Sequence, residues 1–254
     1  MARSVRPASN REAARETWAA FLEWVNAHGN SRWVYRGLGD VSFGLIPGVG
    51  RSRSYNAATE RTILEVFERR AVEFTDTFRL SAWDKLALAQ HHGLPTRLLD
   101  WTTNPLVAGF FAVTSEPGTM NVDPPGRRMR PAARDVAARI VAISVRSGEV
   151  VDPLAEPDPF AVAGTRFFLP RALSPRIVSQ SGLFSLHAEP TIPWQVPLSA
   201  SAHVFDIPGA MRALFQRNLF YLGIDRQRIM GGLDGVCQRL SWQYEVGIGL
   251  GAVR

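Results

Sequence analysis

The chain has 254 residues, 46% of them hydrophobic, with 29 lysines and arginines against 23 acids and a formal net charge of +6. A chain of that length can bury a core without disulfides or a structural metal, and its single cysteine, Cys237, excludes an intrachain disulfide framework and fits a reducing cytoplasm. No segment approaches the roughly 20 apolar residues that span a bilayer, and the arginine-rich N-terminus lacks the apolar run of a secretion signal, so no membrane partner is expected.

Lys85 is the one lysine, so nearly all the positive charge is guanidinium, which suits bidentate contacts to anions. The balance favours nucleotides, other phosphates or nucleic acid as partners. No sequence feature sets an oligomeric state.

Residues 12–27 place Trp18, Phe21, Leu22 and Val25 at helical spacing, and His28-Gly29-Asn30 supplies the exit. Residues 1–30 are therefore expected to be an N-terminal arm and helix, with Arg3, Arg6 and Arg11 solvated, and residues 31–254 the main domain. Trp33-Val34-Tyr35 reads as a short strand that delivers Arg36 to a turn at Gly37. Residues 42–47 are extended in character, and 48–56 form a basic loop. A helix is predicted over 57–74, with Ile63, Leu64, Phe67, Ala71 and Phe74 as its buried stripe. Another covers 82–92, stopped by Gly93 and Pro95.

Asn104 is a predicted N-cap, with Pro105 in the first turn of a helix through 113 that is apolar on most sides. Residues 115–135 are rich in Pro, Gly and Arg and read as a flexible insertion. Strands follow at 138–145, within 176–187 and at 203–207, then helices at 210–220 and 233–243, with Cys237 on the apolar face of the last. The pattern is a single mixed α+β domain with an α-helical N-terminal portion and a β-rich C-terminal portion.

Three segments carry chemistry. Arg36, ahead of Gly37, can hold a phosphate through paired charge-assisted hydrogen bonds, or pair with Asp40 or Asp100. The block Gln90-His91-His92-Gly93-Leu94-Pro95-Thr96-Arg97-Leu98-Leu99-Asp100-Trp101 gathers two imidazoles, a guanidinium, a carboxylate and an indole at one helix exit. Either these groups satisfy one another in a buried network or they line a pocket in which Arg97 and Asp100 orient substrate and Trp101 is a wall. In the third segment Gln180 can read an amide or hydroxyl edge, Gly182 permits close approach, Phe184 can stack and His187 is a further candidate. No compact Cys/His/acid set accompanies them, so no metal is expected, and phosphate-loop, dinucleotide and nucleophile-elbow patterns are absent.

Taken together these segments resemble the FRG-domain family. Tyr35-Arg36-Gly37 stands for the motif behind the family's name, with tyrosine for the usual phenylalanine. The block from 88 to 106, the segment 176–184, Leu222-Gly223-Ile224 and Leu233-Asp234-Gly235 extend the likeness over roughly residues 33–240. The family occurs in bacterial and phage-associated proteins and in proteins resembling toxin or antiphage defence effectors.

Some polar features are distantly similar to those of ADP-ribosyltransferases, which implies NAD as substrate and transfer of ADP-ribose to a macromolecular acceptor or to water. Under that implication Arg36, with Tyr35, Gly37, Trp101, Gln180 and Phe184, binds NAD. His91 or His92 orients ribose, Arg97 assists, and Asp100 or Asp234 stabilises positive charge as the glycosidic bond breaks. No glutamate fits the catalytic place. Three other readings stay open: a non-enzymatic nucleic-acid-binding or defence-associated interaction domain that uses the basic segments, a ligand or partner sensor whose polar blocks are structural, and a metal-independent nuclease built on His91, His92, Arg97 and Asp100.

Overall fold

The structure, a computed structural model, describes residues 10–29, 32–117, 135–171, 182–196, 198 and 200–249. Helix starts follow local capping chemistry. Beyond α1 (Asn10–Ala27), the Asn56 side chain accepts from the Ala58 and Thr59 amides to open α2 (Ala57–Ala71). Ser81 and Asp84 form a reciprocal capping box at α3 (Ala82–His91), and Asn104 accepts from the Leu106 amide at α4 (Pro105–Thr114), whose first residue is the proline. α3 stops where expected because Gly93 takes a φ of +89°, a left-handed conformation that favours glycine. A short α5 (Ala200–His203), α6 (Arg212–Tyr221), α7 (Arg226–Met230) and α8 (Gly232–Glu245) complete the helices among the described residues.

The strands β1 (Trp33–Leu38), β2 (Leu98–Thr102), β3 (Ala138–Ser144), β4 (Thr165–Phe168), β5 (Gly182–His187) and β6 (Val204–Ile207) form one antiparallel sheet in the order β4-β5-β2-β1-β3-β6. The protein is thus a mixed helix-and-sheet fold. Four of these strands follow residue 137, but β1 and β2 are threaded between the early helices and the last three helices close the described chain.

Alternation along the strands separates two faces. One face carries two distinct cores. Phe21 and Trp24 of α1, Val107, Ala108 and Phe110 of α4, and Phe215 and Leu219 of α6 cover Tyr35, Ile140 and Ile207. Leu64 of α2 with Trp83, Leu86 and Ala87 of α3 covers Leu98, Phe168, Phe184 and Leu186. The first helix therefore packs into the main core, and residues 1–9 of the expected arm lie outside the described residues. The other face, with Val34, Leu99, Trp101, Val141, Phe167 and Leu183, is covered by Leu45, Trp194 and other segments outside the helices.

Gly37 and Gly39 make room for α4. A Cβ on Gly37 would stand 2.1 Å from the Ala108 carbonyl oxygen, and one on Gly39 would stand 2.8 Å from that of Ser115. The glycine after Arg36 thus answers to helix packing. Arg212, 5% exposed, fastens the far end of the same helix: its guanidinium donates to the carbonyls of Ala112, Val113, Ser115, Gly39 and Val136. The charge of Asp40 acts on it in the same favourable sense. The terminal carbonyls of α4 and the helix dipole supply the negative partner in direct contact.

Several expectations need correction. α2 ends at Ala71, and its buried face is Glu60, Leu64 and Ala71, while Ile63 and Phe74 are exposed. The segment 42–47, read as extended, opens on a turn in which the Ser42 amide and hydroxyl donate to the Asp40 carboxylate. Cys237 is exposed, since α8 buries Gly235 and Gln243 in place of the stripe containing Leu233 and Leu240. Of the expected insertion at 115–135, residues 118–134 lie outside the described residues.

Candidate functional site

The two cores of the helical face meet where β1 and β2 meet. Those strands share a single registered pair, Tyr35↔Thr102, whereas β1 pairs with β3 over six residues and β2 with β5 over five. A continued ladder would set Asp100 opposite Gly37. Instead the Arg36 guanidinium occupies that junction, and its Nη1 donates to the Asp100 main-chain carbonyl at 2.5 Å and lies 3.6 Å from the Asp100 carboxylate. Above this junction a cleft of about 620 Å³ runs between the C-terminal end of α3, which supplies Gln90, His91, His92 and Gly93, and α4, which supplies Ala108 and Phe111. Tyr35, Asp100, Thr102 and Phe184 form its floor and far side. That volume suits a ligand of nucleotide or drug size.

Asp100 is the exposed charge of the cleft, 61% accessible at its side chain. Both carboxylate oxygens face the Gln90 Nε2, at 3.3 and 3.1 Å. Gln90 is held in turn by the Thr96 hydroxyl, which donates to its Oε1 at 2.8 Å. The Arg36 side chain is 14% accessible, its Nε is buried without a hydrogen-bond partner, and burial pushes its guanidinium below the usual value, opposed by Asp100. Arg51 lies behind it. Burial, then the charge of Arg36, pushes Arg51 down to about 10, again opposed by Asp100, while its Nε donates to the Ile46 carbonyl. One carboxylate therefore stands in front of two desolvated guanidiniums.

His91 and His92 both line the cleft, with ring centroids 5.0 Å apart and nearly perpendicular. His92 is exposed at the C-cap of α3. Tyr35 is 3% exposed, and burial raises its phenol to about 12, so it enters the site as a neutral wall. Phe184 borders the cleft from within the α2–α3 core.

The structure therefore brings together Tyr35, Arg36, Gly37, His91, His92, Asp100 and Phe184, and separates the rest. Arg97 does not serve the cleft. Its guanidinium grips Glu60 through Nε at 3.0 Å and Nη2 at 2.7 Å, both side chains are at most 5% accessible, and Phe160 lies 4.4 Å from its centre. A buried guanidinium needs a carboxylate, and Glu60 supplies it. Trp101 borders the cleft, but the pleat sends its indole to the opposite face, where Nε1 donates to Ser185 Oγ at 2.8 Å. It is no stacking wall. Asp234 is exposed in the first turn of α8, away from the residues that line the cleft. His187 is buried on the Trp101 face, 2.8 Å from Ser185 Oγ, and burial followed by the charge of Arg36 lowers it to about 4. Gln180 lies outside the described residues.

Gln90 and Phe111 line the cleft and Thr96 holds Gln90; Gln90 and Thr96 lie in the histidine block, where no role attaches to them from sequence, and Phe111 carries no sequence signal. The signal for Gln90 was its position beside His91, on the helix turn that faces the cleft. Among the described residues no group of three or more His, Cys, Asp or Glu side chains is arranged to hold a metal ion, and no helix is long and apolar enough to cross a membrane.

Residues 31–119 match the family model of the FRG domain. The chain contains an FRG domain. The matched stretch runs from β1 through α4, so it includes Arg36, Gln90, both imidazoles and Asp100, while Phe184 lies beyond it. No curated protein and no solved structure matches the chain.

Proposed function

We propose that the cleft of the FRG domain binds NAD and breaks its nicotinamide–ribose bond, passing ADP-ribose to a macromolecular acceptor or to water. The observation that carries this reading is the exposed Asp100 carboxylate, fixed by Gln90 and Arg36 in a cleft with aromatic and apolar walls. In the step, the electron pair of the C1′–N bond leaves with nicotinamide and neutralises its ring nitrogen. Positive charge develops on the ribose at C1′ and O4′, and a fixed carboxylate stabilises it without reorganising. The acceptor then bonds to C1′ and releases its proton to solvent. Asp100 is the catalytic carboxylate of this reading, His91 and His92 reach ribose hydroxyls from the rim, and Phe111 and Phe184 flank the nicotinamide.

Arg36 takes a different part from a phosphate clamp: it holds Asp100 in place. The likeness to ADP-ribosyltransferases rests on these chemical roles and on no shared topology. Incubation of the purified chain with NAD, alone and with protein and nucleic-acid acceptors, followed by chromatographic separation of nicotinamide, tests the reading. Nicotinamide release is expected. Full retention of NAD with every acceptor overturns it.

A further inference from the structure

The hydrogen bonds behind Asp100 run in one direction. The Thr96 hydroxyl accepts from the Leu98 amide at 3.1 Å, which leaves its own proton for the Gln90 Oε1 at 2.8 Å. With its oxygen so engaged, the Gln90 amide turns its NH2 toward Asp100, 3.1 and 3.3 Å from the two carboxylate oxygens. The flipped amide would set its oxygen against a carboxylate, acceptor against acceptor, so both ends of the relay select the same orientation. Arg36 adds positive charge 3.6 Å from Oδ2. The carboxylate thus receives donors from behind and keeps its remaining lone pairs for the open cleft. A ligand group that meets the carboxylate directly there must donate hydrogen bonds or carry positive charge.

We infer that Thr96 and Gln90 are positioning residues that hold Asp100 as an acceptor-only carboxylate, and that this fixes the ligand's direction: the cationic nicotinamide riboside end lies over Asp100 and the diphosphate lies away from it. The ligand's identity rests on the NAD reading above, whereas the relay rests on the hydrogen bonds alone. The consequence is discrimination by charge. NAD, with a cationic ring, binds more tightly than NADH, whose ring is neutral and otherwise of nearly the same shape.

The test is calorimetric binding of NADH and of NAD in its carbocyclic form, which keeps the cationic ring and resists cleavage because a methylene replaces the ribose ring oxygen, to the full chain and to Thr96→Val and Thr96→Ser. Wild type is expected to prefer the cationic dinucleotide by about threefold to fivefold. Thr96→Val, which keeps the shape and loses the hydroxyl, releases the Gln90 amide and reduces that preference, and Thr96→Ser restores it. Equal affinity of the wild type for both dinucleotides overturns the orientation, and an undiminished preference in Thr96→Val overturns the relay. If wild type binds neither, the NAD reading fails by itself. The relay is then read from the Gln90 side-chain amide resonances of 15N-labelled protein, assigned by their loss in Gln90→Glu. Resonances that move in Thr96→Val and return in Thr96→Ser support it, and resonances that stay in place in Thr96→Val overturn it.

Discussion

Gly37 and Ala108 are in backbone contact: a β-carbon added to Gly37 would lie 2.1 Å from the Ala108 carbonyl oxygen and 2.5 Å from the Ala112 nitrogen. Neither neighbour is a side chain that can swing away, so α4 itself must move. Gly37→Ala should cost about 3 kcal/mol or more, at the upper end for overpacking, and should shift the urea midpoint or leave the protein insoluble. An unchanged midpoint would mean that α4 adapts without strain.

Asp100 should separate activity from stability. Its side chain is 61% accessible but its carboxylate compensates the desolvated Arg36, so Asp100→Asn should cost about 1–2 kcal/mol of unfolding free energy and leave the fold intact. Nicotinamide release, measured by chromatography, should fall by about 100-fold, in keeping with loss of one preorganised electrostatic partner of the transition state. A variant that keeps wild-type turnover would remove Asp100 from the chemistry.

Arg97 and Glu60 should behave as one structural unit. Leaving either buried charge without its partner typically costs about 3–5 kcal/mol, so Arg97→Met and Glu60→Leu should each destabilise by that order. The double variant should recover much of the loss, because two apolar side chains can replace a buried ion pair at little cost. A double-mutant cycle in urea measures the coupling, and additive losses would exclude it.

His187 should make the fold acid-sensitive. Its folded value of about 4 lies below its ordinary 6.5, so the unfolded chain binds the proton first as pH falls. The stabilising contribution is complete above 6.5, erodes between 6.5 and 4, and is gone below 4, a loss of about 3 kcal/mol at 1.36 kcal/mol per pH unit. His187→Gln should flatten this part of the Tm-against-pH profile. An equally steep profile in that variant would assign the acid sensitivity to other groups.

Arg212→Met should lower stability by about 3 kcal/mol, as several charge-assisted hydrogen bonds to the Gly39, Ala112, Ser115 and Val136 carbonyls disappear together. Arg212→Lys should rescue little of this, since one ammonium cannot span carbonyls that a planar guanidinium reaches from both edges. Thermal unfolding distinguishes the two substitutions.

Much of the scaffold was legible in local chemistry. Asn56, Ser81 and Asn104 announce helix starts, and Gly93 announces a stop, because capping acts within a few residues. The polar block was legible as a neighbourhood but not as an arrangement. A strand from Leu98 sends Asp100 to one face and Trp101 to the other, so adjacent candidates part company. Arg97 could not be assigned locally, because its partner Glu60 lies 37 residues away across a different helix. Gln90 was hidden for a related reason: its partners Thr96 and Asp100 come to it only after the Gly93 turn folds the chain back. Cys237 shows the limit of apolar spacing on a helix that buries little of itself.

The lone Tyr35↔Thr102 rung between β1 and β2 also bears on how the molecule opens. On the helical face each flank packs into its own core, but on the other face Val34 and Val141 share one core with Trp101, Phe167 and Leu183, so that face, more than the backbone ladder, ties the flanks into one cooperative unit. Amide hydrogens of the two flanks should then exchange together, and a ligand in the cleft, which touches both β1 and β2, should slow both.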